Sequence, residues 1–488
     1  MSDRPCRRSA ILVALSAAFV LTVGVSGGLS HPRAGGTFDV RGFGATGNGR
    51  HNDTPAINRA IVAANRAGGG TVELTPGRYL AGGSIHMLSN VTLWLDAGAT
   101  LIGARTGYDP PESNPYAAYQ DPGHSHFHDA MIWGEDLHHV GFRGSGTIDG
   151  AGNLLTDNPI PGRADKIISL VGCDGLTISG ITLKRGGHFA VLINDCLDVR
   201  SSHLTILTAG DRDGWNIVSS QHVRITDLTD HAYDDALAFK SDWALGRTLP
   251  SGDVVVDHAR LSSVCCNALM FGSETCGDFG NYRLSKIVIS GAGKSGLGMV
   301  SMDGAHISDV LYSDVTMAGV AGPLMEKIGT RRRCGGTPGI GSISDIRYRD
   351  VRAASLGTYT PTLWGAPGDP ISGISFDHVE FEFQGRPGPV AAAVPADNSD
   401  AFDPDSIGPR PSYGLYVHDA EGVTFKDGRL GLASSDSRPA VEIDQARGVV
   451  FERAVVTGNP AVVLRGVTRF RLIRSHGAGG RPLHVSGT

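Results

Sequence analysis

The chain has 488 residues, 68 of them Gly, with 19% charged and 7% aromatic residues and a formal net charge of −6. This composition suits many short strands joined by tight turns better than a helical protein. The mild negative charge argues against a nucleic-acid surface.

Residues 1–34 read as an export signal. Arg4, Arg7 and Arg8 make a basic start, Ala10 to Val25 is an apolar run of 16 residues, and small and polar residues follow from Ser26 to Ser30. The run is short for a membrane span. Removal near Ala34 would leave a secreted, extracellular chain over 35–488 with no membrane partner.

Thr37-Phe38-Asp39-Val40 then reads as a strand, and Gly42 to Gly49 as a glycine-rich turn. No Lys-Ser/Thr follows that turn, so a tight connection is expected rather than a phosphate loop. Thr54-Pro55 opens a helix, with Thr54 as its N-cap, and Ile57, Ala60, Ile61 and Ala64 give it one apolar face. Gly68-Gly69-Gly70 ends it. This is expected to be the one substantial helix of the mature chain, covering the open end of a stack of strands.

From Thr71 onward the pattern is strand and turn. Thr71–Leu74 and Val91–Leu95 alternate with period two. Beyond residue 138 a phrase recurs: a polar residue or Gly, an aliphatic, any residue, an aliphatic or aromatic, then a polar turn. Its instances centre on Val140, Leu176, Val199, Val223, Val254, Val310, Ile346, Ile374, Val423, Val449 and Phe470. Repeats of this length leave room for two or three short strands each, too few for a propeller blade. They predict an all-β, parallel β-helix whose stacked coils share one long core.

Two stretches interrupt the repeats. Residues 385–411, rich in Pro, Gly and Asp, read as a long loop that either lines a groove or stands exposed. Thr330 to Gly341 is basic at Arg331, Arg332 and Arg333; it could meet an acidic polymer, although a solvated loop face is the commoner arrangement. Six Cys follow the signal, none at zinc-finger spacing. The vicinal Cys265 and Cys266 are not expected to bond to each other. Cys173 and Cys196 each precede a strand by three residues and could stack, either as a disulfide or as buried thiols.

The stretch Asp211 to Ser241 carries the chemistry. Trp215-Asn216-Ile217 and Leu237-Ala238-Phe239 share one phase, 22 residues apart. In that overlay Asp213 falls on Asp235 and Arg212 on Asp234. If 22 residues make one coil, Asp213 and Asp235 sit one above the other at about the 4.8 Å spacing of paired strands, with Asp234 beside them. Each Asp alone would pass as a turn residue. Three carboxylates in one patch raise one another's proton affinity and mark a site. Trp215 falls on the inward phase with Ile217, so it is expected in the core.

Beyond these residues, FDVRGFGATGNGRHNDTPAINRAI, GGGTVELTPGRYL, VTLWLDAGATLIG and GTIDGAG resemble glycoside hydrolase family 28, the polygalacturonases and their relatives. DRDG resembles that family's NTDG motif, YDDALAFKS its GDDxxxxKS motif, and FGSE its bacterial GSE segment. The resemblance runs over about residues 37–472 and implies a right-handed, single-stranded parallel β-helix with an N-terminal capping helix. It implies that Asp213, Asp234 and Asp235 are catalytic, with Asp234 as general acid and the other two activating a water, giving inversion. It supports Lys240 as a substrate-binding residue.

Arg212, His188 and Lys294 are further substrate-binding candidates. His188 is where the family often carries a groove aromatic. Lys294 comes into register with Asp234 when Leu297 and Met299 are laid on Leu237 and Phe239. The chain departs from the family pattern near Cys265-Cys266-Asn267, where a Gly-His-Gly segment should fall, and near Gly298-Met299-Val300, where an Arg-Ile-Lys motif should fall. Without that Arg–Lys pair, a galacturonate at the scissile bond loses its usual partners.

The expected substrate is therefore a polysaccharide or oligosaccharide, pectin-related, cleaved by a monomeric hydrolase with no metal, no cofactor and no nucleic-acid partner. A hydrolase for a non-uronate glycan is one alternative. Another is a lyase or epimerase on the same fold, in which the acids would bind calcium.

Overall fold

The computed structural model describes residues 35–386, 388 and 401–487. The export signal expected over residues 1–34 and part of the 385–411 loop lie outside the described residues. The described chain folds as a right-handed, single-stranded parallel β-helix.

One column of residues displays its construction. Leu176 pairs with Val140, Val223 with Val254, Val254 with Tyr282, Tyr282 with Val310, and Val310 with Ile346. The pairs Arg347–Ser375, Ser375–Thr424 and Thr424–Val450 carry the same register on through Ile374, Val423 and Val449. These are the positions of the recurring phrase, stacked coil on coil. Tyr282 belongs to the column too; NYRL puts an aromatic where most instances carry an aliphatic, so the phrase passed over it. From Val140 to Val449 the column is fully buried. Each coil closes its neighbour's apolar face, and each buried Val, Leu, Ile or Phe contributes roughly 1.5–3 kcal/mol. Two residues further along, Tyr312, Tyr348 and Phe376 stack with ring centroids 5.0 Å apart.

Thr54–Arg66 is the expected helix, and no other α-helix occurs among the described residues. Ala56, Ile57, Ala60, Ile61 and Ala64 are buried in the main core. Its N-cap is Asp53 rather than Thr54. The Asp53 carboxylate bonds no helix N–H. It instead accepts from Thr46 N at 2.7 Å and Gly47 N at 3.2 Å, tying the glycine-rich turn to the helix. The turn is thus a structural connection.

The cysteines depart from expectation. Cys265 and Cys266 are bonded to each other, correcting the reading that a vicinal pair would stay open. A bend after the strand Ser251–Ser263 brings their sulfurs together. Cys276 and Cys334 form a second disulfide across 58 residues, a pairing no local spacing announced. Cys173 and Cys196 are buried free thiols.

Candidate active site

The strands Phe189–Asn194, Asp213–Val218, Leu237–Ser241 and Leu269–Thr275 lie side by side on one face of the β-helix. Trp215 pairs with Leu237, Asn216 with Ala238 and Ile217 with Phe239. The 22-residue overlay is therefore the register of two adjacent coils. Gly214 N donates to Asp235 O at 2.9 Å, which sets Asp213 and Asp235 at neighbouring levels. Trp215, Ile217, Leu237 and Phe239 point into the core. Asp213, Asp234 and Asp235 line one open cleft on the outer side.

The three acids are held differently. Asp213 is buried; its Oδ2 accepts from Asn216 Nδ2 at 3.0 Å, and its Oδ1 has no protein partner among the described residues. Burial, and then the charge of Asp234, push its proton affinity well above the usual carboxylate range, with Lys240 opposing them. Asp235 accepts from Asn267 N at 3.0 Å and Asn267 Nδ2 at 2.9 Å. Burial and Asp234 push it up to about 6 against Lys240 and Asn267. Asp234 is the more open, its side chain 25% exposed, with Arg212 Nη2 at 3.3 Å.

Lys240 alternates outward from Phe239 and lies buried at the cleft wall. Its Nζ donates to Glu274 Oε2 at 3.1 Å. Burial alone would lower its proton affinity, but Glu274, Asp213 and Asp235 outweigh it and hold the ammonium charged. Burial likewise would raise Glu274, yet Lys240, His124, Arg331 and Arg333 hold it well below the usual range. A fixed positive charge thus stands behind the two buried acids.

Lys294 also reaches the cleft, and Leu269 pairing with both Leu237 and Leu297 gives the expected register. Its Nζ donates to Asp403 Oδ2 at 2.6 Å. Asp403 and its neighbour Phe402 bring the described end of the long loop to the cleft wall. Arg212 lines the cleft as well, but His188 does not: it lies buried behind Arg212. His188 Nε2 stands 2.8 Å from Arg212 Nη1 and 2.9 Å from Asp121 Oδ1. It braces two lining residues and does not face the groove.

The structure also brings in residues that local reading did not. Arg331 and Arg333, expected on a solvated loop, line the cleft. Arg331 Nε donates to Asp303 Oδ1 at 2.9 Å and its Nη2 to Ser273 O at 2.6 Å. Arg333 Nη2 donates to Glu274 Oε1 at 2.7 Å. The Cys276–Cys334 disulfide, next to Arg333, pins this segment to the strand that carries Glu274. Asp121 and His124 enter from a loop more than 80 residues ahead of the acids. The basic triplet and the FGSE segment were the only visible signals for any of these.

Six carboxylates (Asp121, Asp213, Asp234, Asp235, Glu274, Asp403) and five cations (Arg212, Lys240, Lys294, Arg331, Arg333) line the cleft. The arrangement can hold a proton, polarise a water and grip an anionic ligand. Two clusters have metal-compatible donor types among the described residues. One is Asp234 with Cys265 and Cys266, whose sulfurs are already bonded to each other; the other is the surface group Asp377, His378 and Asp427.

Two or more carboxyl groups facing one cleft are what hydrolysis of a glycosidic bond requires. The chain belongs to the glycosyl hydrolases family 28, whose family model matches residues 113–399. It is 22% identical over 298 residues to a polygalacturonase of Ralstonia nicotianae, covering 50% of this chain and 55% of that protein. It is 41% identical over 70 residues to "Alginate lyase 7" of Azotobacter vinelandii, covering 14% of this chain and 8% of that protein. Among solved structures, the family 28 exopolygalacturonase of Yersinia enterocolitica superposes with a TM-score of 0.59 at 16% identity, over 92% of this chain and 77% of that one. That likeness establishes the fold.

Proposed function

We propose that this chain hydrolyses a glycosidic bond of an acidic, pectin-related polysaccharide or oligosaccharide by an inverting acid–base mechanism, outside the cell. Asp234 gives a proton to the leaving oxygen. Asp213 and Asp235 hold and deprotonate the attacking water. The observation that carries this reading is the convergence of the three acids in one cleft, with Asp213 and Asp235 on adjacent coils and Asp234 beside them. Asp234, the most open of the three and held by Arg212, is the one placed to meet the leaving oxygen.

Arg331 and Arg333 support an acidic substrate. They supply guanidinium groups to the cleft from a different segment than the one where the family's Arg–Lys pair would fall. A planar guanidinium suits a sugar carboxylate. Arg212, Lys240 and Lys294 add to that field and bind substrate oxygens, while His188 positions Arg212.

The test is release of reducing ends from polygalacturonan, rhamnogalacturonan and a neutral plant glycan, with the anomer of the first product read by NMR. Asp234→Asn should abolish release. Full activity in that variant would remove the assignment. The similarity to an alginate lyase favours testing one rival: a lyase would form a new C=C bond, seen as ultraviolet absorbance in the product, and hydrolysis would not.

A further inference from the structure

The Cys265–Cys266 disulfide stands at the cleft, and nothing in the acid–base chemistry uses it. A carboxylate oxygen of Asp234 and both cysteine sulfurs lie within 4.8 Å of one another. Cys266 lines the cleft, and Cys265 is partly exposed beside it. Next to them Val264 is 58% exposed, and Tyr233, the residue before Asp234, is 44% exposed. An apolar rim therefore adjoins the most open acid of a cleft that is otherwise mostly charged.

The pair is fixed in place. Cys265 N donates to Tyr233 O at 2.8 Å, Cys266 N to Ser263 Oγ at 2.8 Å, and Lys294 N to Cys266 O at 2.9 Å. The next coil packs against it through Gly293, where a Cβ would meet Cys265 O at 2.4 Å. The backbone that carries the disulfide is thus held by the neighbouring coil. Asn267, the following residue, holds Asp235, so the same bend sets both the sulfurs and a carboxylate.

We propose that Cys265–Cys266 is the apolar platform of a sugar subsite, receiving the C–H face of a pyranose ring whose glycosidic oxygen lies at Asp234. The inference rests on the hydrolase reading of the cleft and adds a subsite to it. A pyranose has one face lined largely by C–H groups and an edge of hydroxyls. Charged walls satisfy the edge, but the face needs a polarisable surface that does not compete for water. A disulfide has no donor hydrogen, and its sulfurs are soft and polarisable. The other apolar lining lies elsewhere: Phe402 packs toward Met270 and over Arg331, and Phe189 packs against His124.

The test uses the full protein and trigalacturonate. Cys265→Ala/Cys266→Ala, with Cys276–Cys334 retained, should raise KM about fivefold, the yield of roughly ten lost dispersion contacts, and leave kcat nearly unchanged. A second measurement needs no variant. A dithiol reductant gives two electrons and two protons to each disulfide it opens, and alkylation with mass analysis counts the thiols. Saturating trigalacturonate should slow opening of Cys265–Cys266. If the wild type cleaves trigalacturonate but shows no such protection, or the folded double variant keeps its KM, the platform is overturned. If the wild type neither binds nor cleaves any acidic oligosaccharide, the hydrolase reading itself fails and the platform falls with it.

Discussion

The two halves of the cleft are built by different means. Asp213 and Asp235 are placed by the stacking of adjacent coils, and backbone pairing of one strand with the next sets their levels. Arg331 and Arg333 are placed by an excursion from the stack, pinned by a disulfide and by ion pairs to Asp303 and Glu274. The first arrangement is as rigid as the β-helix itself. The second hangs from side-chain contacts and a cross-link, and it meets the acids through Glu274 and Lys240.

The largest break in that comparison comes from the acid half. Asp213→Asn and Asp234→Asn should each lower kcat by about 10²- to 10⁴-fold, with KM much less affected, in reducing-end assays. Arg333→Ala should act through binding instead. Losing a charged hydrogen bond to the substrate should raise KM for an acidic oligosaccharide about ten- to a hundredfold, while cleavage of any neutral substrate stays as it was. Cys276→Ala/Cys334→Ala should move KM in the same direction by freeing the segment. Equal effects on acidic and neutral substrates would erase the division of labour.

Lys240 joins the halves, and its test is a pH profile. It lowers the proton affinities of Asp213 and Asp235. Activity that needs Asp235 ionised should rise through about pH 6 in the wild type. Lys240→Met should move that acid limb to higher pH, because a stabilising positive charge is gone.

The smallest effect is on stability. Asp230 is fully buried beneath the site, with both carboxylate oxygens unpartnered by side chains, and a Cβ on Gly214 would meet its Oδ1 at 2.2 Å. Burial first, and then Asp213, raise its folded proton affinity well above the ordinary 3.8. Between those two values the folded state binds a proton that the unfolded chain has released. Its contribution is therefore most favourable below about pH 3.8 and weakens as pH rises. Asp230→Asn should remove this slope. Its melting temperature should gain on the wild type from pH 4.5 to pH 8, by a few degrees at most in a chain of this size.

The legibility of the chain follows the same division. The repeating column from Val140 to Val449 was readable because every coil must bury an aliphatic at the same phase. The capping helix was readable from its apolar spacing, and only its cap moved by one residue, because Asp53 is engaged by the glycine-rich turn. The stacking of Asp213 on Asp235 was readable because strand register fixes which residues of neighbouring coils meet. His188, expected to face the groove, instead lies behind Arg212, its Nε2 held by Arg212 and by Asp121, which arrives from a distant loop. The Cys265–Cys266 bond was misread because spacing rules do not anticipate a bend that turns two adjacent side chains toward each other.

The sequence by itself determined the stack, its period and the position of the three acids, all consequences of local hydrophobic phase and backbone pairing. Only the tertiary structure decided what surrounds those acids. Arg331, Arg333, Asp121, Asp403 and the vicinal disulfide reach the cleft through loops whose paths are set by ion pairs, a long-range disulfide and close backbone contacts. Such contacts join residues far apart in the chain and leave no period in the sequence to read.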